Sequence, residues 1–197
     1  VGRMRPWLFE FVAKYSREWN LIQDVYWWNF ASPPTVHCQA KYGLMRPSVK
    51  YCVWLGPADC YRDQSAILWS ASKSMLATQN SEDWEGRSTP SGQHTNMGRI
   101  AKSVRDKNGM VTPFNLLPIS NCDSRDGAGA WGHGAGTPYA LCDFWTRYLV
   151  PKAGTALDCF AGTGTTGLAA KYQRKNWIGF EAMPEYAEIA RQRVEQG

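Results

Sequence analysis

The 197-residue sequence predicts an α/β fold in which helices flank a parallel sheet. In the last third of the chain the hydrophobic pattern alternates between helical and strand periods, and a glycine-rich turn joins one strand to the next helix. Such alternation is typical of doubly wound parallel sheets. The content of 44% hydrophobic and 20% charged residues is ordinary for a packed domain. No apolar run approaches the ~20 residues that cross a bilayer, so we expect no membrane partner.

The first part of the chain predicts one helix and two strands. Residues 3–20 place aromatic and aliphatic side chains three and four positions apart, which indicates an amphipathic helix. The β-branched and aromatic runs at 24–30 and 49–55 predict strands. Pro33 and Pro34 end the first strand, because proline has no backbone N–H to donate to a sheet.

Regular patterning is lost between residues 59 and 136. Glycines and prolines are scattered through this segment, and a glycine-rich tract runs from Gly127 to Gly136. Long irregular segments inside compact proteins commonly carry function. We therefore expect an irregular insertion here.

Regular elements return from residue 139 onward. The pattern predicts helices at 139–149, 165–172 and 184–195, and strands at 156–159 and 177–180. Two strands joined through a helix usually lie parallel to each other. These residues therefore predict the parallel part of the sheet.

The strand at 156–159 leads into the segment with the clearest chemistry. Asp158 is followed by a turn that contains Gly162 and Gly164, and then by a helix. Glycine lets the backbone approach a ligand closely, and a helix N-terminus offers free N–H groups and a partial positive charge. Glu181 follows the next strand, where a carboxylate can accept both hydroxyls of an adenosine ribose. The pattern predicts a nucleoside-binding pocket.

A dinucleotide is the first alternative ligand, because Gly162, Gly164 and Gly167 fit the G-x-G-x-x-G fingerprint. In that motif a pyrophosphate lies over the helix N-terminus, and a carboxylate at Asp158 would repel it. An acid at this position suits a ligand with a positive amino group, such as the methionine end of S-adenosylmethionine. We therefore favour a methyl donor over a dinucleotide, and a purely structural turn is the remaining alternative.

The same motifs resemble those of a known family. The run D-x-F-x-G-x-G-T-T, followed by W-I-G-F-E and P-E-Y, is similar to the donor-binding motifs of β-class amino-methylating DNA methyltransferases. The resemblance implies a Rossmann-like S-adenosylmethionine-dependent methyltransferase fold, with an incomplete sheet in this chain. It assigns the cofactor S-adenosylmethionine to Asp158, Phe160, Ala161, Gly162, Gly164 and Glu181. It also implies that Thr165 and Thr166 cap the helix near the donor's carboxylate.

A second motif precedes the glycine turn. The segment His133-Gly134-Ala135-Gly136-Thr137-Pro138 resembles the family's H-P-x-x-F-P motif, which completes the donor pocket. Gly134 and Thr137 depart from that pattern, so one wall of the pocket is expected to be looser or rebuilt. His133 and Pro138 are the predicted contacts, and a loop histidine without function is the alternative for His133.

The middle of the chain predicts contacts to DNA. Residues 25–29, 89–94 and 115–121 are similar to PvuII-type cytosine-N4 methyltransferases, which implies site-specific methylation of double-stranded DNA with a flipped target base. Adenine N6 is the alternative target. Basic side chains can hold phosphates, and the polar ones between them can read base edges, whereas a solvated loop is the alternative. The predicted DNA contacts are Ser91, Gln93, His94, Arg99, Lys102, Arg105 and Lys107.

The family's catalytic loop is S-P-P followed by an aromatic residue that stacks on the flipped base. Ser32, Pro33 and Pro34 match its first three positions, but Thr35 replaces the aromatic residue. We therefore expect the catalytic loop upstream of Val1, so that this chain is a fragment that is inactive alone. Ser32, Pro33 and Pro34 remain the alternative catalytic residues.

The resemblance divides the chain into three parts. Residues 1–58 belong to the catalytic α/β subdomain, 59–132 form the target-recognition region, and 133–197 form the donor-binding subdomain. We expect a methylase of a restriction–modification system, and the alternative is a non-catalytic DNA-binding module with a vestigial donor pocket. The net charge of +5 permits a polyanionic partner without requiring one.

The cysteines bear on metal binding and on location. Six cysteines without a C-x-x-C pair and three scattered histidines predict no metal site. Free thiols indicate a reducing, cytoplasmic location. Cys142 and Cys159 are expected to pack in element interiors.

Overall fold

The computed structural model describes residues 6–31, 43, 45, 47–74, 76, 108–121, 131 and 136–196. The chain divides into two compact units, one within residues 1–63 and 114–197 and the other within residues 64–113. In the described residues, no helix is long and apolar enough to cross a membrane.

The first helix, α1 (Pro6–Tyr15), is shorter than the predicted 3–20. Pro6 suits a first helical position, because the N–H that proline lacks has no intrahelical partner there. The helix ends in a turn in which the Trp19 N–H donates to the Tyr15 carbonyl at 2.8 Å. Residue 20 already belongs to a strand, since pairing with a distant strand overrides the local helical spacing.

A three-stranded sheet follows α1 in the larger unit. Its central strand, β1 (Asn20–Trp28), pairs antiparallel with β2 (Val49–Gly56) and parallel with β5 (Leu116–Pro118). Tyr26 lies opposite Tyr51 on one side and Leu116 on the other. β2 contains the strand predicted at 49–55, whereas β1 begins four residues before the strand predicted at 24–30 and ends two residues before it does. β5 lies in the segment that was expected to be irregular.

Side chains of β1 and of Asn29, which directly follows it, form hydrogen bonds that stabilise this sheet. Val25, Trp27 and Asn29 alternate as buried residues, as expected for a strand with one covered face. The Trp27 Nε1–H donates to the Ile119 carbonyl at 2.7 Å, and Asn29 Oδ1 accepts from the Asn121 N–H at 3.2 Å. These bonds join segments that are about ninety residues apart, which explains why local patterning did not reveal β5.

The smaller unit has short elements in its described residues. A 3-10 helix at Gln64–Ile67 precedes β3 (Trp69–Ser70), which pairs antiparallel with β4 (Met110–Val111). Ile67 is buried. Strands of two residues have no detectable period, so they could not be predicted from the hydrophobic pattern.

The last part of the chain alternates helix and strand as predicted. The helices are α2 (Tyr139–Leu149), α3 (Thr165–Tyr172) and α4 (Pro184–Gln196), and the strands are β6 (Thr155–Asp158) and β7 (Asn176–Gly179). β6 and β7 are parallel, with Asp158 opposite Gly179. Their pairing brings the ends of both strands to one edge of the sheet.

Helix α2 is fastened to the segment between α3 and β7. The Lys175 ammonium donates to the Thr146 and Val150 carbonyls, both at 2.6 Å, which satisfies the C-terminal end of α2. Gln173 Nε2 donates to Asp143 Oδ1 at 2.6 Å. Leu141 and Leu168 are buried in the core of this part.

Candidate functional site

Two carboxylates lie at neighbouring strand ends. Asp158 is the last residue of β6, and Glu181 lies two residues beyond the end of β7. The Phe180 N–H donates to the Asp158 carbonyl at 2.8 Å, and the Ala161 N–H donates to the Phe180 carbonyl at 2.9 Å. In open parallel sheets, ligands bind at this carboxyl edge.

The Asp158 carboxylate is oriented by two hydrogen bonds. Oδ1 accepts from the Phe160 N–H at 3.0 Å, and Oδ2 accepts from the Thr166 hydroxyl at 2.6 Å. A carboxylate has about four acceptor positions, so about two remain for a donor group from a ligand. The side chain is half-buried, which leaves it accessible.

The Glu181 carboxylate is tied to the glycine turn. Oε2 accepts from the Gly162 N–H at 2.7 Å, and Oε1 accepts from the Met183 N–H at 3.0 Å. The turn that follows β6 is therefore connected directly to the acid that follows β7.

The turn itself requires glycine. Gly162 and Gly164 have φ of +53° and +79°, in the left-handed region that side chains disfavour. A Cβ at Gly164 would lie 2.8 Å from Ala190 Cβ, and a Cβ at Gly167 would lie 2.7 Å from the Trp177 ring. Gly164 thus serves the turn and its contact with α4, whereas Gly167 serves packing against β7.

The two threonines do not cap α3 as predicted. The N-cap is Gly164, without a side-chain cap, and Thr165 and Thr166 lie one and two positions inside the helix. The Thr166 hydroxyl donates to Asp158, and the Thr165 hydroxyl accepts a 3.5 Å hydrogen bond from Arg193. Capping by these threonines does not occur because Gly164 occupies the N-cap position, and both hydroxyls bond to side chains instead.

Arg193 of α4 is a residue of the site that the sequence pattern did not predict. Its guanidinium is buried and donates to the Thr163 carbonyl at 2.7 Å and to the Thr163 hydroxyl at 3.0 Å. The helical spacing could have identified it, because Arg193 lies three residues after Ala190 and therefore on the same helical face. An arginine on the apolar face of an amphipathic helix is unusual and indicates a buried acceptor.

The remaining described residues of the predicted pocket differ in exposure. Phe160 is 90% exposed, Ala161 is buried, and Pro138 is buried at the start of α2. A cavity of about 320 Å³ opens beside Glu181. Its lining residues include Ala161, Trp177, Gly179, Ala187, Ala190 and Val194.

The two cysteines near the site have different environments. Cys142 is buried, with its Sγ 3.7 Å from the Thr166 hydroxyl, and burial raises the pKa of its thiol to about 11. It therefore stays protonated at neutral pH and packs as predicted. Cys159 is exposed, so the expectation that it packs inside was wrong. The chain has already turned away from the sheet at residue 159, one position beyond β6.

Several predicted positions lie outside the described residues. They are the catalytic alternatives Ser32, Pro33 and Pro34, the pocket residue His133, and the DNA contacts Ser91, Gln93, His94, Arg99, Lys102, Arg105 and Lys107. All of these stay predictions. Among the described residues, no group of three or more His, Cys, Asp or Glu side chains could hold a metal ion.

Comparison with known proteins gives consistent matches. A family model described as DNA methylase matches residues 8–192. The type II methyltransferase M.PvuII of Proteus hauseri is 30% identical over 178 residues, which cover 84% of this chain and 52% of M.PvuII. The chain therefore spans about half the length of this relative.

Solved structures show the same architecture. The PvuII DNA methyltransferase (cytosine-N4-specific) matches 96% of this chain and 57% of its own, with a TM-score of 0.66 and 22% identity. A complex of M1.HpyAVI with SAM matches 96% of this chain and 71% of its own, with a TM-score of 0.57 and 17% identity. These likenesses confirm the predicted α/β fold class.

Proposed function

The chain belongs to the DNA methylase family, and on that premise we propose that it forms the S-adenosylmethionine-binding part of a DNA methyltransferase. The observation that carries the proposal is the pair of carboxylates at neighbouring strand ends, Asp158 and Glu181, joined through the Gly162 N–H. A relative of the same fold was solved as a SAM complex, which supports this ligand.

Separate features of the site match the ammonium group, the ribose and the base of S-adenosylmethionine. Asp158 has free acceptor positions for an ammonium group, and Glu181 is a carboxylate beyond the end of the next strand, the place from which an acid accepts the two ribose hydroxyls of a nucleoside. The turn at Gly162 and Gly164 offers backbone without side chains, so a ligand can approach closely. The cavity beside Glu181, which is lined by apolar side chains together with Arg191 and Glu195, offers room for a base. When bound, the donor supplies an electrophilic methyl group, and the residues of this chain hold and orient it.

A dinucleotide fits the same turn less well. The Thr166 hydroxyl, in the first turn of α3, directs its hydrogen to Asp158, so a negative charge is held close to the helix N-terminus. A pyrophosphate placed there would meet that charge at short range, and like charges in a partly buried site repel strongly. The electrostatics therefore favour a cationic amino acid moiety.

Cytosine N4 is the favoured target, because a cytosine-N4-specific enzyme superposes on the chain and M.PvuII is 30% identical to it. Adenine N6 and a non-catalytic DNA-binding module remain the alternatives. The predicted contacts at residues 91–107, base flipping, a role in restriction–modification and a cytoplasmic location belong to the same proposal. Pro138 and Phe160 complete the proposed donor pocket with His133.

The proposal is tested in two steps. Calorimetry of the 197-residue chain with S-adenosylmethionine is expected to give one site per chain, and absence of heat with both the donor and S-adenosylhomocysteine would overturn the donor proposal. Nucleoside mass spectrometry of DNA treated with a longer gene product containing this chain is expected to give N4-methyldeoxycytidine. Detection of N6-methyldeoxyadenosine would show that adenine N6, not cytosine N4, is the target. If the longer gene product binds the donor but methylates no base, the non-catalytic DNA-binding module is favoured.

Thr166 offers a finer test of the acid's role. Replacing it by valine removes the hydrogen bond to Asp158 Oδ2 at nearly constant volume. We expect the Kd for S-adenosylmethionine to rise roughly 3- to 10-fold, because an oriented carboxylate loses one hydrogen bond. Calorimetry measures the change, and Thr166→Ser, which keeps the hydroxyl, is expected to bind like the unmodified chain. Equal affinity of the valine and serine variants would show that Asp158 needs no positioning.

A further inference from the structure

Arg193 is a buried cation that the proposed donor contacts do not use. It is 5% exposed, although it lies near the C-terminal end of the chain on a surface helix. Burying a guanidinium is unfavourable unless its N–H groups find acceptors in good geometry. Its acceptors therefore indicate what the residue does.

The acceptors of Arg193 lie in and beside the glycine turn. One guanidinium nitrogen donates to the Thr163 carbonyl and hydroxyl, at 2.7 and 3.0 Å, and more weakly to the Thr165 hydroxyl at 3.5 Å. Thr163 stands between Gly162 and Gly164, both of which have positive φ. The guanidinium thus binds the residue at the centre of the turn.

Two further contacts are made by α4, one by Arg193 itself and one by Ala190. The Arg193 Cζ lies 5.2 Å from the centroid of the Trp131 ring, within cation–π distance. One turn earlier on α4, Ala190 lies against Gly164. Helix α4 therefore supports the turn by apolar contact at Ala190 and by hydrogen bonds at Arg193.

We propose that Arg193 is a positioning residue of the donor site, which clamps Thr163 and thereby fixes the turn formed by Gly162 and Gly164. A turn with two glycines is costly to order, because glycine loses the most backbone freedom on folding. The clamp supplies that order before the ligand arrives, and preorganisation raises affinity by reducing the ordering that binding must induce. This inference rests on the proposed function.

The test compares Arg193→Lys and Arg193→Met with the unmodified chain. Lysine keeps the charge, but its shorter, flexible side chain lacks the rigid guanidinium plane that holds Nη1 on the Thr163 carbonyl and hydroxyl. We expect the Kd for S-adenosylmethionine to rise about tenfold or more in both variants, because charge-assisted hydrogen bonds to the turn are lost. Arg174, which is exposed in the turn two residues beyond α3, provides the matched controls Arg174→Lys and Arg174→Met, with unchanged affinity expected.

Chemical rescue separates positioning from a merely structural role. In Arg193→Ala, guanidinium chloride at millimolar, non-denaturing concentration is expected to restore part of the donor affinity, whereas sodium chloride at equal ionic strength is not. Circular dichroism identifies any variant that fails to fold. If the methionine or alanine variant does not fold, the affinity of the lysine variant decides the test. Donor affinities of folded Arg193 variants equal to those of the unmodified chain would overturn the clamp and leave the donor proposal standing. Absence of binding by the unmodified chain would instead overturn the donor proposal.

Discussion

Replacing Asp158 by asparagine is expected to raise the Kd for S-adenosylmethionine roughly 10- to 100-fold. The change is almost isosteric, and an amide oxygen can still accept from the Phe160 N–H, which now donates to Oδ1 at 3.0 Å. What is lost is the charge that the proposed site presents to an ammonium group, and hydrogen bonds to charged groups contribute about 1.5–3 kcal/mol. Isothermal titration calorimetry measures the change.

Asp24→Asn is the matched control for this substitution. Asp24 is an exposed acid on β1, and the same substitution there is expected to leave donor affinity unchanged. The thermal midpoint of unfolding should stay similar in the two variants, which excludes loss of fold as the cause. If Asp158→Asn and Asp24→Asn bind S-adenosylmethionine with equal affinity, Asp158 does not contribute to donor binding.

Gly164→Ala is expected to have the largest effect on stability. The φ of +79° costs an L-residue about 1–2 kcal/mol. The new Cβ would lie 2.8 Å from Ala190 Cβ and 2.9 Å from Ala190 Cα, and such overpacking costs about 1–3 kcal/mol. The free energy of unfolding should fall by roughly 2–5 kcal/mol, which lowers Tm by roughly 4–20 °C in a chain of this size. Denaturant unfolding and calorimetry measure both quantities.

Gly43→Ala separates the two causes of this loss. Gly43 has a similar φ of +60°, but among the described residues nothing lies within 4 Å of a Cβ built there. Gly43→Ala should therefore lower the free energy of unfolding only by the backbone contribution of about 1–2 kcal/mol. If both variants lose the same stability, close packing of the turn against α4 contributes nothing.

Local patterning was sufficient for the part of the chain from residue 139 onward. The predicted helices at 139–149 and 165–172 agree with α2 and α3, and the predicted strands lie within one residue of β6 and β7. Each of these elements is long enough to show its own hydrophobic period, and the glycine turn marks the boundary between β6 and α3. The positions of Asp158 and Glu181 at strand ends followed from the same pattern.

The hydrogen-bond partners within the site could not be predicted in this way. The sequence placed Thr166 at the start of a helix, but a hydroxyl there can serve the backbone or a side chain, and only the fold showed that it donates to Asp158. Arg193 lies 30 residues from Thr163 along the chain. Which loop meets that face of α4 depends on how the helices pack.

The sequence by itself determined the α/β class, the order of the elements from residue 139 and the residue types of the turn, because these depend on neighbours within a few positions. The tertiary structure alone decided that β5 pairs with β1, that Cys159 is exposed, and that Arg193 reaches the glycine turn. Each of these depends on contacts between residues far apart in the chain. Such contacts are favourable only after the chain has folded, and no local pattern records them.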